Sequence, residues 1–142
     1  MAADFSPTEN LILTTVQVQA MRRHVGRRAP QEACGLVGGR GGRAELVLPV
    51  PNADRSPVRF HMEPHAQLRA FQRLEAQGLE LVAVYHSHPE GPDRPSATDV
   101  AEAAYPVVNL LWYRQTGRWR LRGFRIQAGR ASEVSLEILP AG

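Results

Sequence analysis

The run Leu79-Glu80-Leu81-Val82-Ala83-Val84-Tyr85 leads straight into His86-Ser87-His88-Pro89, and this junction constrains the chain more than any other stretch. An apolar run of this length, rich in aliphatic and β-branched side chains, makes a buried strand, and residues two apart on a strand share a face. His86 and His88 therefore project together. Pro89 ends the ladder because it has no N–H to donate, and Glu90 to Pro95 has the Gly and Pro content of a loop. A helix restarts at Ser96, and its first turn carries Asp99 back towards the imidazoles. Two imidazoles and one carboxylate give a zinc ion three protein ligands and leave the fourth tetrahedral position open, which is the arrangement of a catalytic site and not of a structural one.

Each part also has a plainer reading. Ser96-Ala97-Thr98-Asp99 has the form of a capping box, in which the serine caps a helix and the acidic residue reaches back to a free backbone N–H. A His-x-His pair at a strand end can be surface decoration. The order of the parts (pair, proline, short loop, acidic first turn) is what favours a metal. Glu32 then acquires a role. It lies in Gln31-Glu32-Ala33-Cys34-Gly35-Leu36-Val37-Gly38-Gly39, a loop after Pro30 entering a short apolar strand, and three ligands with a water still need a proton acceptor. Taken alone, Glu32 is an ordinary exposed loop acid.

With 142 residues, 43% hydrophobic content and no long apolar run, the chain is expected to be one soluble domain, without a transmembrane helix or signal peptide. Residues 1–10 are expected to be a loose start and residues 11–139 the domain. A single cysteine, Cys34, leaves no internal disulfide and suits a reducing cytoplasm. In its Gly-flanked apolar strand it is expected to be a buried, inert thiol. The formal net charge is +3, and all 17 basic residues are arginine. They are dispersed and aromatics are few, which argues against a nucleic-acid partner. Arg22, Arg23, Arg27 and Arg28 are expected on the solvated face of a helix, with His24 solvated beside them. Arg114, Arg118, Arg120, Arg122 and Arg125 fall on alternating strand patterns and could meet an acidic partner.

Hydrophobic spacing predicts one α/β domain. A strand at Leu11–Leu13 precedes a helix capped by Thr14 or Thr15 and running to about Arg28. Strands follow near Ala33–Val37 and Ala44–Leu48, then a turn-rich connection and an extended stretch from Val58 to Met62. The next helix spans about Pro64 to Gln77, stopped by Gly78, with Leu68, Phe71 and Leu74 on its buried face. After the motif strand, a helix from Ser96 reaches about Tyr105. Strands at Val107–Tyr113, Trp119–Gln127 and Ser132–Leu139 complete the chain. Ser87 faces away from its two neighbours, which assigns it to packing or backbone bonding. His61 and His65 are expected at a surface and neither is assigned to zinc.

The set Glu32, His86-Ser87-His88, seven residues, Ser96, two residues, Asp99 resembles the signature of the JAMM/MPN+ zinc metalloproteases, with no departure. The stretch Pro30 to Gly39 resembles that family's Glu-x-Cys-Gly strand, and Arg59 to Pro64 the segment before its central helix, so the likeness covers about residues 11 to 127. It implies a mixed, curved sheet flanked by helices in a cytidine-deaminase-like (MPN/JAB) architecture. It implies one Zn2+ held by His86, His88 and Asp99, with Glu32 as the base and Ser96 as a donor to the oxyanion. It also implies hydrolysis after the Gly-Gly end of a ubiquitin-like or sulfur-carrier protein. The gaps are too short for the insertions that grip ubiquitin chains in eukaryotic members, so the resemblance is to a compact prokaryotic form. Two other readings share parts of the pattern: a RadC-like protein, whose typical middle residue is Asn where this chain has Ser87, and a catalytically silent MPN scaffold, which usually lacks a ligand. A nucleobase deaminase would need a Pro-Cys-x-x-Cys that a chain with one cysteine does not contain.

Overall fold

A computed structural model describes residues 11–140; the loose start expected over residues 1–10 lies outside them. In chain order the elements are β1 (Leu11–Thr14), α1 (Thr15–Arg28), β2 (Cys34–Arg40), β3 (Arg43–Val50), α2 (Pro64–Ala76), β4 (Glu80–His88), α3 (Ala97–Ala101), β5 (Val108–Gln115), β6 (Arg118–Gln127), β7 (Arg130–Val134) and β8 (Leu136–Leu139). The eight strands form one mixed sheet in the order β7-β6-β5-β4-β2-β3-β1-β8. The β4–β5, β1–β3 and β1–β8 pairs are parallel and the rest antiparallel.

Local chemistry explains the elements that place the site. Thr14 and Gln17 form a capping box that starts α1, with Gln17 Oε1 accepting from Thr14 N at 2.7 Å. Glu63 caps α2 by accepting from His65 N and Ala66 N, with Pro64 at the first helical position. The two helices cover opposite faces of the sheet. Val18, Met21 and Val25 of α1 pack with Leu11, Leu13, Val37, Tyr85, Leu110 and Trp112. Ala70 and Leu74 of α2 pack with Cys34, Leu36, Leu48, Val50 and Met62. Alternation along β4 consequently sends Tyr85 and Ser87 to the α1 side and His86 and His88 to the side of α2 and α3.

The extended stretch Val58 to Met62 joins no strand of the sheet: its isolated bridge pairs Met62 with Asn52, and Phe60 and Met62 pack against the α2-side core. Three expectations change. Leu68 is 57% exposed: steps of three residues fall short of a full turn, so positions 68, 71 and 74 fan over about 120°, and the face that meets the sheet is centred on Ala70 and Leu74. The helix after Ser96 ends at Ala101, since none of its residues is buried to extend it by packing. The stretch Ser132–Leu139 divides at Ser135, with β7 pairing β6 and β8 pairing β1 at the other end of the sheet. One residue thus joins the two ends, so the sheet is curled almost into a barrel. No helix among the described residues is long and apolar enough to cross a membrane.

Candidate metal centre

His86 and His88 stand at the C-terminal end of β4, 2% and 3% exposed. The Ser96 cap of α3 delivers Asp99 to them. Ser96 Oγ accepts from Asp99 N at 3.0 Å, and Ser96 N donates to Asp99 Oδ2 at 2.9 Å, so the capping box exists and directs the same carboxylate into the site. Asp99 Oδ2 lies 3.0 Å from both His86 Nε2 and His88 Nε2. The two Nε2 atoms are 3.2 Å apart. Three corners of a tetrahedron with bonds of ~2.0 Å would be about 3.3 Å apart, so these donors fit one zinc ion.

The proton arrangement supports the same fit. The Pro92 carbonyl sits 2.9 Å from His88 Nδ1 and requires a proton there, which in the neutral ring leaves a lone pair on Nε2. That lone pair can meet a metal ion; without one, the same nitrogen takes up a proton and bonds to Asp99. Burial pushes His86 down, while for His88 the bonds to Asp99 and Pro92 outweigh burial and raise it. Burial also works against the charged form of Asp99, but bonds from both imidazoles hold its carboxyl well below the usual carboxylate range.

Glu32 is 3% exposed, with Oε2 3.9 Å from His88 Nε2 and Oε1 buried without a partner. Glu32, His86 and His88 together offer donor atoms within 4.8 Å of one another. Burial raises the Glu32 carboxyl to about 8, against the pull of His88. The exposed-loop reading of this residue does not hold. Its backbone is fixed from several sides: Glu32 N donates to Ser56 O at 2.7 Å, Asn52 Nδ2 donates to Glu32 O at 3.0 Å, and Ala33 N donates to Ser87 Oγ at 2.8 Å. Ser87, facing away from the imidazoles as its position on the strand predicts, thereby ties the Glu32 loop to the ligand strand.

Two contributors are invisible in the sequence pattern. The Phe60 ring stacks on His86 at 4.6 Å between centroids and 24° between planes. Asn52 organises the strap from 52 to 62, accepting from His61 N and donating to Arg59 O as well as Glu32 O. Its only signal is the turn-forming Pro51-Asn52-Ala53-Asp54, which carries no hint of a partner far away in sequence. A cavity of about 510 Å³ opens beside the ligands, walled by Phe60, His61, Met62, Gln67 and Tyr105.

The remaining histidines and the cysteine fall elsewhere. His65 is exposed and bonds to its own helix cap, Glu63. His24 is not solvated: it is 6% exposed and its Nδ1 lies 2.7 Å from the Tyr85 hydroxyl. The cause is the α1 face, where position 24 falls in line with Met21 and Val25. Cys34 is buried, its thiol 3.3 Å from the Val50 carbonyl and pushed up to about 12 by burial. Such a thiol is inert.

Known proteins share both the sequence and the fold. Residues 14–127 match the family of prokaryotic homologues of the JAB domain. A probable TtuB-protein conjugate cleaving protease of Thermus thermophilus is 39% identical over 123 residues, covering 86% of this chain and 78% of the relative. The CysO-cysteine peptidase of Mycobacterium tuberculosis is 34% identical over 133 residues, 91% of each chain. A solution structure of a protein from Desulfitobacterium hafniense superposes with a TM-score of 0.82 at 33% identity, covering 92% of this chain and 93% of the other.

Proposed function

Since the chain belongs to the prokaryotic homologues of the JAB domain, we propose that it is a zinc-dependent peptidase or isopeptidase cutting after the terminal Gly-Gly of a ubiquitin-like or sulfur-carrier protein. The observation that carries this reading is the mutual 3.0–3.2 Å spacing of the His86, His88 and Asp99 donors, with an unpartnered Glu32 carboxylate oxygen beside them. The relatives support the substrate class, since one is named for cleaving a TtuB-protein conjugate and another for CysO-cysteine. A single buried thiol and the absence of a disulfide suit a reducing cytoplasm.

His86, His88 and Asp99 would hold the zinc, which supplies Lewis acidity for a scissile carbonyl and makes water acidic enough to attack near neutral pH. Glu32 takes the proton of the attacking water on its carboxylate and passes it to the departing nitrogen. Burial raises this carboxyl to about 8, and the charge of a zinc ion beside it would draw it back down, so that the ionised base is present near neutral pH. The Ser96 oxygen is committed to Asp99 N, but its hydroxyl hydrogen remains available to the oxyanion, a donor worth ~3 kcal/mol when well placed. Phe60 shields one face of the His86 ring and keeps bulk water from that side.

The test uses purified chain with its zinc content measured, and a carrier protein ending in Gly-Gly fused to a short extension. Mass spectrometry should find a cut after the second Gly. Glu32→Gln should keep zinc and lose turnover by ~10²-fold or more, whereas His88→Ala should lose the zinc itself. Equal turnover by Glu32→Gln and parent would remove the base assignment. Zinc-loaded chain that cuts no Gly-Gly fusion would favour the silent scaffold.

A further inference from the structure

The segment from Pro89 to Pro95 has no regular structure, yet it joins His88 to the cap of the helix bearing Asp99. Its shape sets where the carboxylate stands relative to the imidazoles. Inside the loop, Pro92 O lies 2.9 Å from His88 Nδ1, and Gly91 N donates to His88 O at 3.0 Å. From outside, two arginines of the β5–β6 hairpin grip it. Arg114 Nε donates to Pro89 O at 3.1 Å. Arg122 Nη1 donates to Asp93 Oδ2 at 2.7 Å and to Asp93 O at 2.9 Å.

The opposite edge of the Arg122 guanidinium is itself anchored. Its Nη2 donates to Glu133 Oε1 at 2.7 Å and its Nε to Glu133 Oε2 at 3.0 Å, and the group lies 5.3 Å from the Phe124 ring centre. The acidic partners of this arginine are therefore within the chain. A surface ion pair by itself is worth little, but this one fastens the residue next to the carbonyl that orients a donor.

We propose that Arg122 is a positioning residue for the metal site: locked to Glu133, it holds Asp93 so that the Pro92 carbonyl keeps His88 Nδ1 protonated and Nε2 aimed at the metal. Slack at Asp93 would let that carbonyl drift and the imidazole turn. Outer partners of a ligating histidine typically contribute 10–100-fold in metal affinity. The inference rests on the zinc reading above and concerns affinity, not turnover.

The measurement is zinc affinity by chelator competition on the full chain, for the parent, Arg122→Met, Asp93→Asn and the double variant, with thermal unfolding of the metal-free forms alongside. Zinc binding should weaken about tenfold in Arg122→Met. Asp93→Asn removes the same charge pair from the loop side, together with the exposed Arg94–Asp93 pair at 3.4 Å, without touching the sheet, so it reports even if Arg122→Met folds poorly. The double variant should be no weaker than the worse single, and metal-free Asp93→Asn should melt with the parent. A loss below about threefold in Asp93→Asn, or losses that simply multiply in the double variant, would overturn the proposal. A parent that holds no zinc would instead defeat the metal reading itself.

Discussion

The proton-carrying role proposed for Glu32 needs a carboxylate that is both unsatisfied and unable to wander. Glu32 meets both conditions, because its Oε1 is an orphan while its backbone is fastened to Ser56, Asn52 and, through Ala33, Ser87. His24 shows the opposite use of burial. Its ring is pushed from 6.5 down to about 4 by burial, with Arg28 and Arg27 adding to the effect, and the Tyr85 hydroxyl of β4 faces it at 2.7 Å. Between those two values the unfolded chain binds a proton that the folded chain does not, so stability rises with pH across that window and is lost as pH falls. In urea titrations of metal-free protein, His24→Gln should therefore lose about 2 kcal/mol less than the parent between pH 7 and pH 4.5. An identical acid-side loss in both would show that His24 is not the group responsible. The sequence exposed the histidine pair, Asp99 and Glu32 because their spacing is local or patterned. It did not expose Phe60, Asn52 or the true setting of His24, since each depends on a contact with a strand or loop distant along the chain.

At the level of elements, the hairpins beyond the ligand strand show how turn chemistry sets register. Thr116-Gly117 and Ala128-Gly129 both have two successive positive φ values, 49 and 77, then 54 and 73. These are type I′ turns, closed by the Gln115–Arg118 and Gln127–Arg130 pairs. Gly117 and Gly129 at the second turn positions accept a positive φ without steric cost. The first turn positions are less well suited, because Ala and β-branched Thr pay a steric cost in the left-handed region that Asn largely avoids. Ala128→Asn and Thr116→Asn should each stabilise the fold by about 1 kcal/mol, or ~3 °C in melting temperature. No rise at either position would mean that the turns are not strained by their residues. The split of Ser132–Leu139 had no such mark. Ser135 is an ordinary polar residue in an alternating run, and only the availability of two different partner strands, β6 and β1, divides it.

Closure of the whole sheet follows from that division. Because β7 and β8 are joined by one residue and yet occupy the two ends of the strand order, the ends must approach each other, and Leu11 N reaches Ser135 O at 3.3 Å. Something must make room where they meet. Gly123 of β6 lies there, paired with Val134, and a Cβ on it would stand 2.7 Å from Leu136 Cδ2 and 3.1 Å from Val134 Cγ2. Its neighbour Arg122 is the residue that bonds to Asp93 in the loop of the proposed metal centre, so closure and site share one strand. A methyl at 123 must push Leu136 aside or spread the seam, a kind of overpacking that costs about 1–3 kcal/mol. The obstacle is mainly one flexible side chain, which makes the cost reversible. Gly123→Ala should destabilise the chain in urea unfolding, and Leu136→Ala introduced with it should restore part of the loss, giving a coupling of about 1 kcal/mol between the two sites. Simple additivity, or a Gly123→Ala variant as stable as the parent, would show that the two ends of the sheet do not meet across this glycine.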